Sequence, residues 1–362
     1  MRKMRIHQLT FGMIMGDAIS NNILATDATL RRWGFETGIY AQHVAPQLQG
    51  RVLPDSRFLP HLDSQDDLLI FHYSIYSPNI RLFKAYRGRK ILIYHNITPA
   101  KFFTVWDTQQ AALCDMGRQA LQTMIDCDLA IGDSDYNRQE LVEAGFDPAK
   151  TAVLPLFLTL PKPDSTRPPA SPDPQKKVTW LSVGRVVPNK AVEDVLRIFA
   201  VYHHTINKNS QLIVVGSRGL TKYVQALDQL VVDLELQNCV RPLGHVNDPR
   251  EMQRFFETAD LYLTASFHEG FCVPLLESMA YGLPILTRRS SAIPETLGGA
   301  GVMFTELGYE AAAEMGHILV SDTAVRQQVI QKQYARLEEL DAAKAEAGLK
   351  AILARLGIMV GA

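Results

Sequence analysis

The chain has 362 residues, 47% of them hydrophobic, with 37 Lys plus Arg set against 38 Asp plus Glu. That length exceeds one small core and predicts two domains, while the charge balance leaves no global basic surface for nucleic acid. Any anionic ligand must therefore be met by local cations.

Four scattered cysteines, Cys114, Cys127, Cys239 and Cys272, form no CxxC pair, which argues against a zinc site or a disulfide framework and fits a reducing compartment. The opening "MRKMRIHQLTFGMIMGD" lacks an apolar run with a small-residue cleavage site and reads as a first strand. No apolar stretch reaches the roughly 18 residues of a membrane span, so a cytoplasmic location is expected, with peripheral docking on a membrane still compatible.

Short apolar runs alternate with amphipathic stretches, the pattern of βα units feeding a parallel sheet. In chain order the first strands are "RIHQLTF", "TGIYA", "DLLIFHY", "KILIYHN", "DLAIGDS" and "TAVLPL". Ser20 is a candidate cap for a helix ending before Gly34, and Ser134 or Asp135 for one ending before Gly145. Residues 161–177 carry six prolines, from Pro161 to Pro174, and read as an interdomain linker. Alternation resumes with "VTWLSVG", "QLIVVGS", "VRPLGH", "DLYLTAS", "LPILTR" and "GVMF", and the tail is rich in helix formers. The expected layout is an N-terminal Rossmann-like domain over 1–160, the linker, a second such domain over 178–340, and a terminal helix over 341–362 that packs back on the first domain. Two facing halves of this kind would enclose a cleft at the carboxyl ends of their strands.

Candidate chemistry lies at those strand ends. In "ASFHEGFCVPLLESMAYGLPIL", Glu269 falls in a strand-to-helix loop and Glu277 about one turn into the helix, with Pro274 in its first turn and Gly282 at its end. The N–H groups around Phe271, Cys272 and Val273, with the helix dipole, suit an anion such as a diphosphate. Carboxylates beside an anion site are better explained as acceptors for the hydroxyls of a vicinal diol than as ligands of the anion, the alternative being two solvated surface glutamates. In "VGRVVPNKAVEDVLRIF", Arg185 follows a strand and Lys190 enters a helix, positions suited to neutralising phosphates or simply to solvation.

Together, "GRVVPNK", "EGFCVPLLESMAYGLPIL" with its Glu269/Glu277 EX7E spacing, "SAIPE" and "IYHNITP" resemble retaining glycosyltransferases of the GT-B fold, specifically family four. The resemblance implies that Arg185 and Lys190 hold the donor diphosphate, Glu277 the ribose hydroxyls and Glu269 the transferred sugar. Main-chain groups at Gly270, Phe271 and Cys272 would contact sugar and phosphate, and His245 or Val246 in "PLGHVND" would pass the nucleobase. In the N-terminal half it implies that His95 meets the donor sugar near the reacting carbon, that the Gly12 and Gly16 backbone approaches the donor phosphate, and that Asp17 serves the acceptor. As bare residues, His95 is equally a structural strand-end histidine and Gly12/Gly16 a glycine turn.

The implied reaction moves a hexose, glucose or mannose, from a UDP- or GDP-sugar donor to a glycan or lipid-linked oligosaccharide, with an α-linkage. No cofactor and no metal are expected: Asp126/Asp128 and Asp133/Asp135 spell DxD but flank one strand. P-loop and GxSxG motifs are absent. The basic run Arg81, Lys84, Arg87, Arg89, Lys90 is either a solvated face or a contact for anionic lipid. Alternatives are an epimerase or phosphorylase on the same fold, or a non-catalytic nucleotide-sugar-binding subunit.

Overall fold

The computed structural model describes residues 4–158, 160–161, 176–246, 248–306 and 308–360. The proposed linker over 161–177 lies almost wholly outside the described residues. The strands are β1 (Arg5–Met13), β2 (Glu36–Val44), β3 (Leu53–Pro54), β4 (Leu68–Tyr73), β5 (Arg89–Tyr94), β6 (Leu129–Gly132), β7 (Thr151–Val153), β8 (Val178–Val183), β9 (Ser210–Val215), β10 (Val240–Leu243), β11 (Leu261–Thr264), β12 (Ile285–Arg288) and β13 (Val302–Phe304). The helices are α1 (Ala18–Arg32), α2 (Ile80–Ala85), α3 (Thr108–Ala120), α4 (Asp135–Glu143), α5 (Val192–Val201), α6 (Thr221–Asp233), α7 (Pro249–Thr258), α8 (Val273–Ala280), α9 (Ile293–Leu297), α10 (Tyr309–Ser321), α11 (Thr323–Glu339) and α12 (Ala342–Arg355).

Two parallel sheets result, in the orders β3-β2-β1-β4-β5-β6-β7 and β10-β9-β8-β11-β12-β13. Every residue of β4 is buried, as expected for a parallel strand covered on both faces. In each sheet the order reverses once, between β1 and β4 and between β8 and β11, and those switch points are where open α/β sheets leave a crevice at the carboxyl ends.

The chain divides into two compact units: unit 1 draws on 1–101, 109–159 and 340–362, and unit 2 on 102–108 and 160–339. In unit 1 the last helix, α12, buries Ala345, Leu349, Ile352 and Leu353 against Ile6, Leu68, Ile70 and Ile91. These residues recur every three or four positions on one helix face, and burying each large one contributes about 1.5–3 kcal/mol. Arg355 then donates to the carbonyls of Ala149 and Thr151 at 2.6 and 3.2 Å. In unit 2 the core centres on the fully buried Trp180, which stacks on Tyr202 with ring centroids 4.4 Å apart. Trp106, from the 102–108 segment, packs edge-on against Tyr223 in the same unit.

Helix α1 starts at Ala18 and is capped by Asp17, whose Oδ2 accepts from the Ser20 N–H at 3.0 Å. The cap expected at Ser20 is thus three residues too late. Ser20 Oγ instead accepts from the Ile14 N–H at 2.9 Å and closes the preceding loop. Of the two candidates for α4, Ser134 is the cap, accepting from the Asn137 N–H.

Candidate active site

In unit 2 the sequence-predicted residues sit on the loops leaving β8 and β11. The turns after β8 and β9 touch backbone to backbone, because a Cβ on Gly216 would overlap the Gly184 carbonyl oxygen. Only glycine permits that approach. Arg185 follows Gly184, exposed, and its guanidinium makes no hydrogen bond or ion pair among the described residues. Residues 188–190 form a 3-10 turn, Ala191 takes a left-handed φ of 49°, and α5 begins at Val192.

This geometry brings Lys190 to Glu269, with Nζ 2.5 and 2.6 Å from the two carboxylate oxygens. Glu269 is buried, and its N–H donates to Ser291 Oγ at 2.7 Å. The β8 and β11 loops are further tied by Asn189: its Nδ2 donates to the His268 carbonyl at 3.0 Å, and its carbonyl accepts from the Phe267 N–H at 2.8 Å. Cys272 is the N-cap of α8 with φ 70°, and burial together with the Glu269 charge pushes its thiol well above the ordinary range. The positive end of the α8 dipole therefore lies within the same loop as Glu269.

Glu277 is half-buried, and its carboxyl makes no hydrogen bond or ion pair among the described residues. Burial alone raises it from 4.5 to about 7. A carboxyl kept from water without a partner is a group poised for a ligand's hydroxyls.

Side chains from the end of β12, the loop after it and α9 brace this arrangement. Ser290 Oγ donates to the Ser266 carbonyl at 2.5 Å, Thr296 Oγ1 to the Phe271 carbonyl at 2.6 Å, and Arg288 Nε to the Ala265 carbonyl at 2.9 Å. Arg288 also lies 4.2 Å over the Phe267 ring and pairs with Asp194 at 2.6 Å. Sequence reasoning noticed "SAIPE" but gave these side chains no role; hydroxyl residues just beyond a strand end were the available signal. His245 and Val246 follow β10, exposed and half-buried, and that loop touches the site through the Gly216 N–H, 3.3 Å from the Gly244 carbonyl.

In unit 1 the residues expected to meet donor and acceptor have the following surroundings. His95 directly follows β5, and its imidazole is fully buried, with Nδ1 2.8 Å from Asp133 Oδ2 and Nε2 2.9 Å from His72 Nδ1. Both ring nitrogens are thus engaged within unit 1. Gly12 lies inside β1, paired with His43, where a side chain would meet only an ordinary 3.8 Å contact; the loop begins later, and Gly16, with φ 78°, is the glycine it requires. Asp17, assigned to an acceptor, spends Oδ2 on the α1 cap, accepting from both the N–H and the Oγ of Ser20.

Residues 165–336 match the family described as Glycosyl transferases group 1. The chain carries a group 1 glycosyl transferase domain. The chain is similar to O-antigen chain mannosyltransferase B of Escherichia coli, 29% identical over 52% of this chain and 50% of the relative. It is also similar to the O-antigen chain mannosyltransferase RfbU of Salmonella typhimurium, 31% identical over 34% of this chain and 33% of the relative. The chain thus spans half or less of these curated relatives. Among solved structures, WaaG, a glycosyltransferase involved in lipopolysaccharide biosynthesis, aligns with TM-score 0.71 at 14% identity, over 97% of this chain and all of the other. HepE of Anabaena, in complex with UDP and glucose, aligns with TM-score 0.73 at 15% identity, over 97% and 99%. At such identities the likeness establishes the fold, which is GT-B, with two Rossmann-like units.

Within the group 1 domain, backbone strain gathers at the site. Ala191, Cys272 and Ser291 are non-glycine residues with φ of 49°, 70° and 43°, adjoining Lys190, ending the Glu269 loop and supporting Glu269 respectively. Each such conformation costs on the order of 1–3 kcal/mol and is held by its surroundings, as at ligand clamps. Among the described residues no group of three or more His, Cys, Asp or Glu side chains is arranged to hold a metal ion. The DxD look-alikes are engaged otherwise: Asp128 accepts from the Lys90 N–H at 2.7 Å, Asp133 holds His95, and Asp135 pairs with Arg138. No described helix is long and apolar enough to cross a membrane.

Proposed function

We propose that the chain is a retaining glycosyltransferase that moves a hexose, glucose or mannose, from a UDP- or GDP-sugar to a hydroxyl of a glycan or lipid-linked oligosaccharide, forming an α-linkage. The observation that carries this is a single loop cluster in unit 2. It joins the unpaired Arg185, the Lys190–Glu269 pair and the partnerless Glu277 around the start of α8. Cations and a helix N-terminus suit a diphosphate, and the two carboxylates suit diols on the ribose and the hexose. The mannosyltransferase relatives and the UDP- and glucose-bound HepE structure support the same reading.

In this reaction the bond from the anomeric carbon to the phosphate oxygen breaks as a bond to the acceptor oxygen forms on the same face. The acceptor's proton passes to the departing phosphate, and no covalent enzyme intermediate is invoked. Negative charge grows on the leaving phosphate, so Arg185 and Lys190 stabilise the transition state more than the bound donor. Lys190 then turns from Glu269 toward the phosphate, which leaves Glu269 to accept from sugar hydroxyls. The reading requires no metal or other cofactor and a cytoplasmic setting, which the four unbridged, buried cysteines suit. Exposed Arg81, Lys84 and Arg89 on and after α2 suit an anionic membrane surface near a lipid-linked acceptor.

The test is thermal-shift titration with UDP, GDP, UDP-glucose and GDP-mannose, since a ligand of the folded state raises stability by mass action. A shift for one nucleotide series, lost in Arg185→Ala and Glu277→Ala, is expected. Silence toward every nucleotide at millimolar concentration in a folded sample overturns the proposal.

A further inference from the structure

Unit 1 contains a buried polar chain that runs across four adjacent strands. Gln8 on β1, His72 on β4, His95 just after β5 and Asp133 just after β6 are all buried. Gln8 Oε1 lies 3.0 Å from His72 Nε2, His72 Nδ1 lies 2.9 Å from His95 Nε2, and His95 Nδ1 lies 2.8 Å from Asp133 Oδ2. At the other end, Gln8 Nε2 donates to the Ile23 carbonyl at 3.2 Å.

That last bond fixes the direction of all the others. A carbonyl only accepts, so the Gln8 amide nitrogen faces Ile23 and its oxygen faces His72. His72 Nε2 must then carry a proton. The contact between the two imidazoles holds one proton, on whichever nitrogen donates. At Asp133 the carboxylate accepts, so His95 Nδ1 carries the third. Two neutral imidazoles supply only two protons. The chain as a whole therefore holds one proton more than two neutral imidazoles and a carboxylate supply.

We infer that Gln8, His72, His95 and Asp133 form a chain holding one proton beyond those of two neutral imidazoles and an ionised carboxylate.

Several surroundings favour a chain of zero net charge. Asp133 Oδ1 is buried and receives no hydrogen bond, so a carboxylate without a cation beside it would be costly there. Burial and the neighbouring His95 hold His72 well below the usual histidine range, which places the surplus proton toward the Asp133 end. The other ionisable side chains on the packed elements are committed elsewhere: Glu140 to Arg118, Arg138 to Asp135, Asp27 to Arg31, Asp17 to the α1 cap, and His7 beside Tyr40 and Asp67. The turn that the chain anchors is itself strained. Asn96 has φ 72°, and its Nδ2 is fastened to Asn137 Oδ1 at 2.8 Å.

Asp133→Asn separates a proton-holding chain from ordinary hydrogen bonding. Its carboxamide can donate to His95 Nδ1, so every bond in the chain survives with two neutral imidazoles and no surplus proton. The experiment is imidazole NMR of the full chain with nitrogen-15 histidine at pH 7, with His95→Gln and His72→Gln used to assign signals. Three of the four ring nitrogens of the pair are expected to be protonated in the native protein and two in Asp133→Asn, with His95 Nδ1 losing its proton. Two protonated ring nitrogens beside an ionised Asp133 carboxylate, read from its carbon-13 shift, overturn the chain.

Discussion

Lys190 and Glu269 form a two-pronged ion pair, with Nζ 2.5 and 2.6 Å from the two carboxylate oxygens and Glu269 nearly inaccessible to solvent. Removing the cation strands a buried carboxylate, whereas removing both charges does not. Lys190→Ala is expected to cost about 1–3 kcal/mol of stability, because Lys190 is itself partly exposed, and Lys190→Ala with Glu269→Gln should cost clearly less than the two single changes summed. Urea unfolding of the full cycle measures this. Strict additivity would mean that the pair contributes nothing.

Glu277 makes stability fall with pH. Its pKa in the folded chain, about 7, exceeds the unfolded value of 4.5, so the folded state keeps a proton that the unfolded state has lost. Its contribution is complete below about pH 4.5 and is lost as pH rises to 7, a change of roughly 3 kcal/mol. Glu277→Gln should flatten that slope and be the more stable form at pH 8. Unfolding curves between pH 5 and pH 8 that run parallel for the two proteins would contradict the burial of this carboxyl.

Arg185 has no protein partner among the described residues and is exposed. Its replacement by alanine should leave unfolding within about 0.5 kcal/mol of the parent. Nucleotide affinity should nonetheless fall by roughly tenfold or more, the loss of a charge-assisted hydrogen bond worth about 1.5–3 kcal/mol. Calorimetric titration with UDP and GDP, run beside denaturation, separates the two effects.

Gly216→Ala pushes a methyl group into the Gly184 carbonyl, and neither partner is a flexible side chain. Destabilisation of about 1–3 kcal/mol is expected, together with weakened nucleotide binding because Arg185 hangs from that turn. Gly219→Ala, three residues on and facing open space, is the matched control. Equal melting temperatures for the two variants would show that the turns are not in contact.

The strand and helix alternation, the two-domain plan and the positions of Arg185, Lys190, Glu269 and Glu277 were legible in the residues alone. All depend on local pattern: apolar runs, helix-end prolines and glycines, and charges placed just beyond a strand. What stayed hidden was who meets whom. Nothing local shows that Lys190 rests on Glu269, 79 residues away, or that Gly216 lies against Gly184. Nor does a strand-end histidine announce that His72 and Asp133 will occupy both its nitrogens. Parallel sheets set neighbouring strands side by side only after long crossovers, so their end loops come together from distant stretches of chain. The sequence by itself determined which groups would stand at the strand ends. Only the tertiary structure decided which would be paired, buried or left open to a ligand, because desolvation and hydrogen bonding depend on neighbours that the chain brings together by folding.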